Sequence, residues 1–96
     1  MIILGVGIKG SVPKSGNYND YKQDGAYTID TWGASEQGGQ NYPFLNASGI
    51  MIVVNSPGKA VQALFDFDGM RFAYRGYRTV SGVWAWTDWY KTTLSV

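Results

Sequence analysis

From Ala60 to Gly76 apolar and polar residues alternate with a period of two, broken once by Asp68-Gly69. Alternation at that period marks a half-buried strand, and Asp-Gly between two such runs marks a hairpin turn. A two-residue turn there fixes the register: Phe67 faces Met70, Asp66 faces Arg71, Phe65 faces Phe72, Ala63 faces Tyr74 and Gln62 faces Arg75. One face of the hairpin then carries Val61, Ala63, Phe65 and Phe67 against Met70, Phe72 and Tyr74, the side suited to burial. The other pairs Asp66 with Arg71 and Gln62 with Arg75, cross-strand partners worth up to about 1 kcal/mol each. For Arg71, Arg75 and Arg78 this means a solvated or cross-strand-paired face, or a polar row across a subunit contact.

Other stretches show the same periodicity less completely. Gly25 to Trp32 predicts a strand with Tyr27 and Ile29 on one side and Ala26, Thr28, Asp30 and Trp32 on the other. Ile50-Met51-Ile52-Val53-Val54 has no polar position, which predicts a central strand covered on both faces. Ile2, Leu4, Val6 and Ile8 permit one more strand at the start. Gly33 to Ser48 lacks any period and is expected to be a long loop. Asn55 to Gly58 and Tyr77 to Gly82 are expected to be turns. A closing strand holds Trp84 and Trp86 on one face, and Trp89 breaks their parity as a bulge or strand end does. No segment calls for a helix. The expected fold is all-β, a small antiparallel sheet or sandwich-like knob with long loops, with an irregular or linker-like segment over 1–23 and the β domain over 24–96.

Composition narrows the chemistry. The 96 residues suit one domain, and 13 glycines with 16% aromatics suit a turn-rich β protein. Eight basic and seven acidic residues, net +1, leave no basic footprint for nucleic acid and no run that seeks an anionic membrane. The start Met1-Ile2-Ile3-Leu4 is too short for a membrane span and lacks the features of a signal peptide, so membrane insertion is not expected and a cytoplasmic origin is. There is no cysteine and no histidine, so neither a nucleophile–base pair nor the usual zinc ligands can be assembled. An enzyme is not expected, and no cofactor or metal is implied.

Three motifs invite misreading. Gly5-Val6-Gly7-Ile8-Lys9-Gly10 spells a dinucleotide fingerprint, but Ser11 to Gly16, with Pro13 inside, cannot open the helix that fingerprint needs. Asp66-Phe67-Asp68-Gly69 resembles the start of a calcium loop, yet the later acidic ligand is missing and the hairpin already explains the residues. Asn46-Ala47-Ser48 is a glycosylation sequon without a signal peptide.

Three of the four tryptophans lie between Trp84 and Trp89. Each indole offers a large apolar plane and one N–H donor, fit for filling a small core or for stacking on sugar rings. Trp86 and Trp89 read first as core or wedge residues. Trp32, Tyr42, Tyr77, Trp84 and Arg78 are the candidates for presenting a carbohydrate site.

One ordered set of residues resembles a known family. It runs Gly25-Ala26-Tyr27, Asn41-Tyr42-Pro43, the apolar strand Ile50–Val54, Gln62 with Phe65, Tyr74-Arg75, and Trp86-Thr87-Asp88-Trp89. In that order these residues are similar to the pyocin-knob domain of phage tail fibres and fibre-like pyocin proteins, over about residues 24–91. The loop 33–48 is longer and richer in glycine than the pattern, and 1–23 does not resemble the family's repetitive shaft. The resemblance implies a small β domain presented as a homotrimer near the tip of a fibre, in a virion or in the product of a prophage locus released on lysis. It also implies a part in recognising a bacterial surface polysaccharide. Tyr27, Pro43, Gln62, Arg75, Trp86 and Trp89 fall on its characteristic positions and are expected to determine the fold. Ligand specificity is expected in 33–48 and 77–82, because loops on a rigid sheet carry function. The alternative is a free-standing, monomeric carbohydrate-binding module that uses Trp32, Tyr42 and Trp84 as a platform.

Overall fold

The computed structural model describes residues 7–56 and 59–93. Among them seven strands follow in order: β1 (Ile8–Ser11), β2 (Gly25–Asp30), β3 (Ser48–Ser56), β4 (Lys59–Asp66), β5 (Arg71–Val80), β6 (Val83–Trp86) and β7 (Tyr90–Thr93). They make one sheet in the order β1-β2-β3-β4-β5-β6, and β7 shares the outer edge of β5 with β6. The β1–β2 pair is parallel and every other pair is antiparallel. Two short 3-10 turns, Tyr18–Asp20 and Ala34–Gln37, are the helical content of the described residues. The fold is all-β, as expected. The second layer is not a sheet but irregular chain from 12–24 and 31–47.

The β4–β5 register is the expected one: Asp66 pairs with Arg71, Phe65 with Phe72, Ala63 with Tyr74 and Gln62 with Arg75. The turn itself differs. Phe67 does not pair with Met70; its N–H instead donates to the Ser48 carbonyl of β3. A four-residue turn results, with Met70 in the left-handed region at φ 51°. The Asp66 carboxylate closes it by accepting from the N–H groups of Asp68 and Gly69.

The faces of this hairpin are the reverse of the expected ones. Gln62, Leu64, Asp66, Ala73 and Arg75 are buried, while Val61, Phe67, Met70 and Tyr74 are exposed. The cause lies in the covering layer. Leu64 and Ala73 meet Met51, Val53 and Ile29 on the same side, and Val12, Tyr18, Phe44 and Ala47 close over them from the loops. Irregular chain packed on a sheet brings backbone polar groups that need partners. Polar side chains of the strands supply them. Gln62 Nε2 donates to the carbonyls of Tyr18 and Tyr21, and Asp66 accepts from the N–H of Ser48. Thr31 Oγ1 ties down the long loop by donating to the Phe44 carbonyl and accepting from the Ala47 N–H.

Other expectations shift for related reasons. β3 is central, but only Met51 and Val53 are fully buried; Ile50 and Ile52 are half-buried and Val54 is exposed. Residues 77–80 continue β5, and the turn is confined to Ser81-Gly82. The loop 33–48 contributes to the core through Ala34, Pro43, Phe44 and Ala47, which are buried, while half of its residues are exposed. Of the first segment, residues 1–6 lie outside the described residues. The remainder belongs to the same body: β1 pairs with β2, and Val12 and Tyr18 sit in the core. Gly10 is in β1 rather than at the head of a helix. The Pro57-Gly58 half of the expected turn lies outside the described residues.

Candidate functional site

Arg75 is the centre of the most unusual packing. Only 4% of it is exposed, and its guanidinium lies between two indoles, 4.2 Å from the ring centre of Trp86 and 4.4 Å from that of Trp89. Its Nε donates to Gln62 Oε1 at 2.8 Å. Burial pulls its pKa down to about 10, which still leaves it charged at neutral pH. Each indole N–H is used in turn: Trp86 Nε1 donates to the Asn19 carbonyl at 3.1 Å and Trp89 Nε1 to the Asn41 carbonyl at 2.9 Å. The two loops of the covering layer are thus pinned to the final strands. Gln62, Arg75, Trp86 and Trp89 form one cluster, Pro43 is buried, and Tyr27 packs against the core, edge-on to Tyr21 with ring centres 5.0 Å apart.

The irregular residues 87–89 make this cluster possible. After β6 the chain steps off the ladder, where Thr87 N–H donates to the Gly76 carbonyl and Gly76 N–H to Thr87 Oγ1. It rejoins β5 as β7. The step lets Trp89 reach the guanidinium from the side opposite Trp86, so the broken parity of the tryptophans has a packing cause.

Beside this cluster the sheet presents aromatic surface. Tyr77 and Trp84 project to the same side as Arg75 and stack, with centroids 5.7 Å apart and planes 23° from parallel. Trp86 adds a third ring 5.3 Å from Tyr77, and Lys22 Nζ lies 4.4 Å over the Tyr77 ring. Lys22, Tyr77 and Trp84 form a wall shared by two adjoining grooves of about 510 Å3 and 470 Å3. Asn19, Asp20, Asn41 and Asp88 line the larger one, with Arg75 and Trp86. Gln23, Asn55 and Lys59 line the smaller. An apolar wall flanked by amide, carboxylate and ammonium groups can stack a ring and exchange hydrogen bonds with its substituents.

The candidate residues are thus divided. Tyr77 and Trp84 meet in the groove. Arg78 pairs with Ala85 on the other side of the same strands. Trp32 stands at the opposite end of the β4–β5 hairpin, its indole donating to Asp68. Tyr42 packs against the core, edge-on to Tyr18. The platform of Trp32, Tyr42 and Trp84 is therefore not assembled on one surface. Asn19, Asp20, Lys22, Asn41 and Asp88 were not anticipated as groove residues. The polar run Asn17–Lys22 is visible in the sequence, but no local spacing brings Asn19 to Trp86.

Compared with protein-family models, curated proteins and solved structures, the chain matches none.

Proposed function

We propose that this protein is a non-catalytic adhesive module that binds an oligosaccharide along the Tyr77–Trp84 wall, as the knob of a phage or prophage tail fibre. The observation that carries the reading is the stacked, solvent-facing Tyr77–Trp84 pair with a polar groove on one side and a more apolar one on the other. A plane of that kind suits the C–H face of a sugar, and grooves on each side accommodate more than one residue of a glycan chain. Groove volumes within about 300–1,000 Å3 are of the size that small-ligand sites occupy. The sequence resemblance to pyocin knobs supplies the setting, a bacterial surface polysaccharide as the ligand.

The test is binding of the purified protein to a broad panel of bacterial glycans and to host cells, alongside Trp84→Ala. Trp84 is 45% exposed. Its removal is expected to abolish binding while costing no more than the stacking contact, about 0.5–1.5 kcal/mol of stability. A wild-type protein that binds no glycan in the panel and no cell overturns the adhesive reading.

A further inference from the structure

The two grooves that share the Tyr77–Trp84 wall differ in charge. Asp20 and Asp88 line the larger one together with Lys22 and Arg75, so its carboxylates and cations balance. The smaller one is lined by two cations, Lys22 and Lys59, with the amides of Gln23 and Asn55, and among the described residues no carboxylate lines it. Neither lysine has an ion-pair partner there, since the ion pairs of the described residues are Lys14–Asp30 and Arg71–Asp66.

Lys22 is held in place from both ends. Asn55 Nδ2 donates to its carbonyl at 2.7 Å, which fastens its backbone to β3. Its ammonium lies 4.4 Å from the centre of the Tyr77 ring, so the charge is fixed at the wall itself. The carboxylate two residues beyond it, Asp24, accepts from the Asn55 N–H and lines neither groove. The smaller groove is thus a cationic recess with one wall of aromatic rings. An ammonium group only donates, and a pair of them favours an oxygen that carries negative charge.

We propose that the glycan is acidic, with an anionic sugar unit in the smaller groove and a neutral unit in the larger, an inference that rests on the adhesive reading. In the smaller groove Lys22 and Lys59 receive the anionic group, while the ring of the same unit packs on the aromatic wall. In the larger one Asp20 and Asp88 accept from sugar hydroxyls and repel an anion, which sets the direction of the chain across the wall. Lysine is a point charge that does not select the planar shape of a carboxylate. A uronic acid and a phosphate-bearing sugar therefore share the chemistry that this recess recognises.

A panel of bacterial polysaccharides with uronic-acid, phosphate-bearing and neutral members tests it. Each uronic-acid member is also presented after carboxyl reduction, which keeps the rings and removes the charge. Acidic members are expected to bind, more weakly as salt is added, and carboxyl reduction to lower affinity by about tenfold or more, the worth of one hydrogen bond to a charged group. Lys22→Gln/Lys59→Gln is expected to lose the same factor, and Arg78→Gln, on the other side of the sheet, to lose nothing. The reduced glycans need no variant, so the result stands even where the double substitution does not fold. Binding of the uronic-acid members alone, or of the phosphate-bearing ones alone, identifies the anion. Neutral and reduced members bound as tightly as the acidic ones overturn the inference and leave the adhesive reading intact. So does a folded double variant with full affinity for the acidic members. A protein that binds no member overturns both.

Discussion

A guanidinium buried to the extent of Arg75 ordinarily needs a carboxylate. Among the described residues the ion pairs are Lys14–Asp30 and Arg71–Asp66, and Arg75 belongs to neither. Two indole faces and one amide oxygen hold it instead. Desolvated cation–π contacts reach about 2 kcal/mol, and a hydrogen bond to a charged group contributes about 1.5–3 kcal/mol. Gln62 is the joint of the arrangement, since its amide oxygen serves Arg75 while its amide nitrogen serves the Tyr18 and Tyr21 carbonyls. Gln62→Leu keeps the volume but leaves Arg75 Nε and the Tyr21 carbonyl without this partner, and the Tyr18 carbonyl with the Tyr21 N–H alone. It is expected to destabilise the protein by about 3–5 kcal/mol, the cost of breaking a buried charged contact, read by urea unfolding. A loss under 1 kcal/mol would show that water takes over these bonds. The alternation of 60–76 shows that Gln62 and Arg75 face each other. It does not show that they face inward, because polarity alone assigns them to solvent. Only the loops they serve decide the side, and those loops have no periodicity to read.

At the scale of the hairpin, the turn depends on a carboxylate more than on its Asp-Gly pair. Asp66 is buried and accepts from Arg71 Nε at 2.6 Å as well as from backbone N–H groups of Ser48, Asp68 and Gly69. Burial alone raises its pKa, but the Arg71 bond and these N–H groups together outweigh that and hold it below the ordinary carboxylate value. A folded pKa below the unfolded one, about 3.9, means that the contribution is complete above that pH. It is lost as pH falls through the folded value. Asp66→Asn is therefore expected to cost about 1–3 kcal/mol at neutral pH. The gap to wild type should close as the pH is lowered below about 4. Denaturant midpoints at pH 7 and pH 3 measure it, and an equal gap at both would locate the acid sensitivity elsewhere. The register of this hairpin is legible because a period of two and a short turn admit few alternatives. The turn type is not legible, because Phe67 is drawn to Ser48 of β3, a partner 19 residues earlier in the chain.

For the molecule as a whole, the sheet's two faces divide the work. One is closed by loops and carries the tryptophan–arginine cluster with the groove beside it; the other carries the row Phe65, Phe72, Tyr74 and Tyr90 and receives no cover from the described residues. Apolar residues at every position of 50–54 indicate cover on both sides, and within one chain only one side receives it. If copies assemble, as the proposed fibre knob implies, and this open face is where they meet, each particle presents several grooves. Binding to a surface dense in glycan then becomes multivalent, and avidity commonly exceeds single-site affinity by about 10²–10⁴-fold. A Val61→Lys/Tyr74→Lys variant, which places charge on the open face, keeps Tyr77, Trp84 and Lys22. It is thus expected to bind soluble oligosaccharide as the wild type does, in calorimetric titration, while its retention on glycan-coated surfaces or host cells falls by that order. Trp84→Ala is expected to lose both. Equal retention of wild type and the double variant on cells would mean that a single groove accounts for adhesion and that the open face has no part in it.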